Sequence, residues 1–380
     1  MLLVGAGTFI FYYYWQPALD YSKAPLFDGN QYQKIYDHFR TDSAKVKIPF
    51  PYHSRLLVPY LASLMPFQNL IDNFQAINFI FTMLSIFVLY KLWRQVGIPR
   101  HLILLGFGWL FYHWTGLIRL NQFDPVNVDV PLYLFQSLLL LVIFSNKYHW
   151  LAILGPIATV QKESFIALLA VLLIYHLIFN RKGSILLWVS IGLAFSIIAK
   201  LGANKYFGSL HDSSAIETMY KFALETGAQP FKLVRWSLAI FTAFGPIFIL
   251  FLIKYRNVNF SHSETRLLIV LSLVYGLFGL LAGGDITRIL FLGFPFVMTL
   301  SLYTIRATSK LILLLVLLLS LPWMRLVSLL PDPVSQPQTF YSWYPEFADV
   351  TTVLLWLAYV AVCWGALFWS SSYLKIKTIS

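Results

Sequence analysis

Cysteine is almost missing from this chain. Of 380 residues one is cysteine, Cys363, and it lies inside an apolar run. One thiol builds neither a disulfide framework nor a thiolate metal site. Charge is scarce too: Asp, Glu, Lys and Arg make up 12%, against about 25% in a soluble domain. The chain has no GxxxxGK[ST] or GxGxxG loop, no HExxH, and no His/Cys cluster at metal spacing. It also lacks the Asp-x-Asp with which soluble transferases hold a nucleotide-sugar metal. No cofactor and no metal are expected.

What the chain has is apolar length. Hydrophobic residues make up 58% and aromatics 18%, with a mean hydropathy of +0.69. The expected fold class is all-α: a polytopic transmembrane helix bundle forming one domain over 1–380. Apolar segments near 1–15, 73–93, 99–114, 129–145, 149–160, 164–180, 184–201, 234–254, 266–283, 288–305, 310–330 and 350–372 give about twelve spans. Between the first two lies a loop over 16–72, in which Leu56–Met65 is too short to cross and is expected at the membrane interface. Further outer loops are expected at 201–234 and 331–349.

The formal net charge of +12 would suit nucleic acid, but position argues against that partner. Lys91, Arg94 and Arg100 share one short loop, Arg181 and Lys182 another, and Lys254, Arg256 and Arg266 a third. Such clusters mark the cytoplasmic side of a membrane. On that topology both termini are cytoplasmic, and every acid but Glu264 falls outside the cytoplasm. Acid scarcity among basic loops explains part of this asymmetry; an extracytoplasmic site that needs carboxylates explains the rest.

Ionisable groups concentrate in Phe27–Arg55, which holds Asp28, Asp37, Asp42, His38, His53, Arg40 and Arg55 among aromatics. Asp28 reads as a helix N-cap or as a general base. Asp37, nine residues on, falls on the opposite face of one helix and is the second choice. Arg55, with His53, reads as a snorkelling interfacial residue or as a bidentate clamp for lipid phosphate. Asp124-Pro125 reads as a helix start, with Asp129 about a turn deeper, where a charge at mid-span costs about 2.5–3.5 kcal/mol. Lys162 and Glu163 follow a short apolar segment, and Glu163 suits a helix N-terminus. Asp285 and Arg288 stand three apart, as a local ion pair or as a glycine-preceded anion site.

With these residues in view, the layout resembles the GT-C superfamily of integral-membrane glycosyltransferases, in particular the bacterial members that use polyprenyl-phosphate sugars. The matching features are an acidic first outer loop with an interfacial segment, Arg55-Leu56-Leu57-Val58-Pro59, a short span ending in Lys162-Glu163, and Asp285-x-x-Arg288 before a span holding Phe294-Pro295. The resemblance implies an enzyme of the bacterial inner membrane acting on the extracytoplasmic side. It would transfer a sugar from a polyprenyl-phosphate donor to a glycan, lipid or protein acceptor with inversion. Asp28 would be the base, with Asp37 in reserve. His53, Arg55, Asp124, Asp129, Lys162, Glu163, Asp285 and Arg288 would bind substrate. The chain departs from better-known members in lacking an acidic pair at the loop start and a soluble C-terminal domain. A polysaccharide polymerase or ligase, or a transporter or flippase of lipid-linked glycans, is the alternative. The former predicts a late outer loop rich in Arg and His, the latter mid-span charges and inverted repeats.

Overall fold

The computed structural model describes residues 1–42, 47–208, 215–229, 231–257, 263–281 and 283–377. Lys45 of the ionisable stretch, and 209–214 and 230 of the expected outer loop, lie outside them. The described residues form eighteen α-helices and no strand. Long apolar runs without polar alternation satisfy their backbone groups internally as helix.

The expectation of about twelve spans is corrected. Five helices are long and apolar enough to cross a membrane: Leu70–Gln95, Gly183–Phe207, Phe231–Ile253, Ser263–Leu281 and the first 23 residues of Val350–Lys377. A sixth candidate is the pair Ile286–Leu292 and Phe294–Thr304, bent by 65°. The other expected spans are helices of 11 to 16 residues: Leu2–Trp15, Arg100–Tyr112, Val130–Phe144, Leu151–Gln161, Ser164–Phe179 and Lys310–Met324. At 1.5 Å per residue these fall short of the roughly 20 residues that a ~30 Å hydrocarbon layer demands. Hydropathy counts a side chain as apolar whether it faces lipid or protein. Val130–Phe144 buries twelve of its fifteen residues inside the protein, as a helix apolar on all sides must. With five or six candidate spans in place of about twelve, the topology that put both termini on the cytoplasmic side no longer holds as drawn.

The chain packs as two compact units. The first comprises Met1–Leu92 and Leu117–Glu217. Within the 16–72 loop it forms two short helices, Gly29–Thr41 and Leu57–Ser63. Arg40 binds them together, its guanidinium donating to the carbonyls of Ser63, Met65 and Phe67 at the end of the second helix. The tightest helix contact sets Leu151–Gln161 against Gly183–Phe207. A Cβ on Gly155 would stand 2.9 Å from the Gly192 carbonyl oxygen, and one on Gly192 2.8 Å from that of Leu151. Only glycine lets two backbones approach so closely. The outward face of Gly183–Phe207 is apolar, with Leu187, Phe195, Ile198 and Leu201 exposed.

The second unit comprises Trp93–Gly116 and Thr218–Ser380. Its organising feature is a break in Phe231–Ile253. Gly245 takes φ 57°, ψ −152°, and Pro246 follows. Proline has no N–H for the carbonyl four residues back, which belongs to Thr242. That carbonyl accepts from His113 Nε2 at 2.9 Å, and the next, of Ala243, accepts from Trp109 Nε1 at 2.8 Å. His113 Nδ1 in turn accepts the Thr115 N–H, so the proton sits on Nε2. The ring stacks on Phe291 at 5.0 Å between centroids. The freed carbonyls are thus satisfied by buried side chains, and His113 is a structural residue.

Replacing Gly245 with Ala forces a positive φ on an L-residue and drives its Cβ to 2.2 Å from the Trp109 ring. The Gly245→Ala protein is expected to lose about 2 kcal/mol or more of stability, read as a lowered thermal midpoint in detergent; an unchanged midpoint would refute this account of the break.

Candidate functional site

In the first unit, five of the residues singled out from the sequence come together with two tyrosines. The pivot is Arg55, which lies at the C-cap of the short turn Tyr52–Ser54 and is 9% exposed. Its Nε donates to Glu163 Oε2 at 2.9 Å and its Nη2 to Oε1 at 2.6 Å, a bidentate ion pair. Its Nη1 donates to the Tyr32 hydroxyl at 3.1 Å. Arg55 therefore does not snorkel. Burial opposes its charge, but Glu163 and Tyr32 outweigh burial and hold the guanidinium protonated. Burial likewise raises the Glu163 carboxyl, and Arg55 overrides it and pulls the pKa down to about 2.

Glu163 occupies the N-cap position of Ser164–Phe179 without capping through its side chain; Arg55 takes the carboxylate instead. One residue earlier, Lys162 Nζ donates to Asp129 Oδ1 at 2.7 Å. Asp129 holds the N-cap position of Val130–Phe144, so it lies at the mouth of that helix and not deep in a span. The backbone ties the same segments: the Leu56 N–H bonds the Val160 carbonyl at 3.0 Å, and the Gln161 amide bonds the Val128 carbonyl.

Asp28 stands at the N-cap position of Gly29–Thr41 but makes no side-chain cap. Its Oδ1 accepts from the Tyr52 hydroxyl at 2.7 Å. Among the described residues its other oxygen accepts no hydrogen bond, and the residue is half-buried. The Tyr32 and Tyr52 rings meet edge-on at 5.5 Å. Asp28 is thus joined to Arg55 through adjacent tyrosines. Burial raises the Tyr32 phenol well above its ordinary pKa, so it stays a neutral hydroxyl that accepts from Arg55.

The remaining expectations divide. Asp37 is half-buried, shares no partner with Asp28, and has its carboxyl pKa raised by burial. His53 is buried with Nδ1 unpartnered; burial lowers its pKa, keeping the ring neutral. Asp124 does not open a helix: it ends Arg119–Phe123 and accepts from the Tyr21 hydroxyl at 2.6 Å. The proline at a helix start is Pro131, not Pro125. Asp124 and Tyr21 are best read as scaffold, since Tyr21 also accepts the Val126 N–H.

Asp285 and Arg288 belong to the second unit. Their side chains lie 3.5 Å apart, the local pair expected from i,i+3 spacing. Beside them Glu346, which sequence reading missed, caps the helix Ile286–Leu292. Its two oxygens accept the Thr287 N–H and hydroxyl, each at 2.8 Å. Arg235 clamps the same loop through the carbonyls of Glu346 and Ala348, both at 2.7 Å. Burial, aided by Asp285, raises the Glu346 carboxyl to about 7 against the Thr287 bonds.

No group of three or more His, Cys, Asp or Glu among the described residues is placed to hold a metal ion. No protein-family model, curated protein or solved structure matches this chain.

Two expectations follow. Arg55→Ala leaves the Glu163 charge buried and alone, at a cost of about 3–5 kcal/mol, while Arg55→Ala combined with Glu163→Ala recovers part of it; a double-mutant cycle on thermal midpoints measures the coupling, and additive effects would deny the pair. A carboxyl raised to about 7 binds more protons folded than unfolded between its unfolded value, 4.5, and 7. Stability therefore falls as pH rises through that window. The midpoint at pH 8 should lie below that at pH 5 by an amount that Glu346→Gln removes. The lowered pKa of His53 acts with the opposite sign, so the comparison with the variant isolates Glu346.

Proposed function

We propose that the chain is a multi-pass membrane glycosyltransferase of GT-C type, transferring a sugar from a polyprenyl-phosphate donor to an extracytoplasmic acceptor. The observation that carries this reading is an apolar groove beside the ion-pair cluster. It has a volume of about 370 Å³ and is lined by Phe39, Leu56, Leu57, Tyr60, Val160 and Tyr206. Leu56 follows Arg55 in the chain, and Val160 precedes Lys162 by two residues. An amphiphilic donor matches this pairing, with its isoprenoid tail along the groove and its phosphate at the charged end.

In the proposed reaction an acceptor hydroxyl attacks the anomeric carbon as the bond from that carbon to the phosphate oxygen breaks. The hydroxyl proton passes to Asp28 and the polyprenyl phosphate departs as an anion. Attack from the side opposite the leaving group inverts the configuration. The Tyr52 hydrogen bond orients Asp28 so that its second oxygen faces the acceptor. Negative charge grows on the phosphate as the bond breaks, so a fixed cation at that end favours the transition state over the ground state. A phosphate leaving group needs no acid partner, so one carboxylate base serves.

The test is transfer by the purified protein from a panel of synthetic polyprenyl-phosphate hexoses and pentoses, with a membrane extract supplying acceptors. Asp28→Asn is expected to lower turnover by about 10²–10⁴ with the donor KM little changed. Tyr52→Phe should lower it less, and Asp37→Asn least. No transfer from any donor by the wild-type protein would overturn the reading, and full activity in Asp28→Asn would overturn the base assignment.

A further inference from the structure

A second apolar groove opens in the first unit, at the other end of the helix Leu151–Gln161 from Lys162 and Glu163. Its volume is about 410 Å³, within the roughly 300–1,000 Å³ of small-molecule sites. Leu138 and Val142 form one wall, Ile153 and Ile157 another. Ile153 and Ile157, four residues apart, lie on one helix face and both are exposed. Two lysines from different segments, Lys91 and Lys147, also line the groove, with Trp150 beside them and no acid. Both lysines are exposed. Neither has an ion pair or a hydrogen-bonded partner for its side chain among the described residues.

The lysines are not held alike. Lys91 stands on the long helix Leu70–Gln95. Lys147 sits in a tight turn whose backbone is fixed at both sides: its N–H bonds the Val142 carbonyl at 2.9 Å and its carbonyl accepts the Trp150 N–H at 3.1 Å. The next residue, Tyr148, is buried against His176, with ring centroids 5.4 Å apart. The turn therefore presents Lys147 at the groove in a defined position. An apolar trough whose only charges are two cations fits an amphiphile with an acyl tail and an anionic head, and does not fit a soluble metabolite.

The geometry points to a specific binding site for an anionic membrane phospholipid, its acyl chain along Leu138, Val142, Ile153 and Ile157 and its phosphate between Lys91 and Lys147. This site is separate from the donor groove and does not depend on the proposed transfer reaction. A lipid seated there packs against Leu151–Gln161, the helix whose far end carries Lys162 and Glu163, and so braces the element that positions them.

The full-length protein in nanodiscs of equal parts phosphatidylglycerol and phosphatidylcholine, released and weighed by native mass spectrometry, tests the site. The wild type is expected to retain one phosphatidylglycerol in preference to phosphatidylcholine by about tenfold or more, the scale set by two lysines beside an anionic head. Lys91→Gln with Lys147→Gln should abolish the preference while leaving some lipid bound. Filling the groove by Ile153→Trp, or by Ile157→Trp where the first alters the size-exclusion profile, should reduce retention of both lipids. Equal retention of the two lipids by the wild type, a preference that survives the double substitution, or retention unaffected by the filled groove would each overturn the site.

Discussion

The first unit depends on a charge pair that must not be broken. Arg55 and Glu163 are 108 residues apart in sequence, and both leave bulk water when the chain folds. An ion that size, desolvated alone, costs several kcal/mol. The segment around Arg55 and the start of Ser164–Phe179 therefore have one acceptable arrangement, the one in which a planar guanidinium meets a carboxylate edge-on. A bidentate pair fixes orientation as well as distance. Once it is set, Nη1 of Arg55 reaches Tyr32, the Tyr32 ring meets Tyr52, and the Tyr52 hydroxyl finds Asp28. Buried ion pairs contribute little net stability compared with well-packed apolar side chains. What this one supplies is a geometry, transmitted through two tyrosines to a half-buried acid.

Helix length is where sequence reading and structure part. Six of the expected spans coincide with the long helices or the bent pair, at 73–93, 184–201, 234–254, 266–283, 288–305 and 350–372. The six that do not are as apolar, but shorter. Lys310–Met324 stops at Pro322-Trp323-Met324, where Arg325 turns left-handed at φ 49°. Leu151–Gln161 is held to eleven residues by the turn at Asn146 before it and by Lys162-Glu163 after it. Hydropathy has no information about which neighbour a leucine faces. Only turns and charged termini limit length, and those are weak signals one at a time.

The site was half legible. The residue types were visible: a carboxylate after the first apolar segment, an arginine before Leu-Leu-Val-Pro, a Lys-Glu step after a short segment. The pairing was not, because nothing in a single sequence says that Arg55 meets Glu163 and that Lys162 meets Asp129. The tyrosines carry no mark of their role in the sequence, yet Tyr21, Tyr32 and Tyr52 each end on a carboxylate or a guanidinium. Four tyrosines within 32 residues of a polar loop, among three carboxylates, was the available signal. Asp124-Pro125 misled for a physical reason. The cap-and-proline pattern describes a helix start, but a second proline six residues on, Pro131, begins the helix instead.

The two ion pairs differ in what an arriving phosphate could displace. Arg55 has three of its five N–H donors committed to Glu163 and Tyr32. Pulling it away would strand a carboxylate whose pKa of about 2 depends on that partner. Lys162 meets Asp129 as a compact ammonium donating to a carboxylate oxygen at 2.7 Å. An ammonium on a flexible stem turns toward a second anion without surrendering the first, because its donors carry no fixed plane. In the proposed reaction the phosphate therefore belongs with Lys162, and Arg55 belongs with the scaffold that holds Asp28. That division gives the arginine of the Arg-Leu-x-x-Pro run a positioning role and leaves the charge stabilisation to the lysine one residue before its partner.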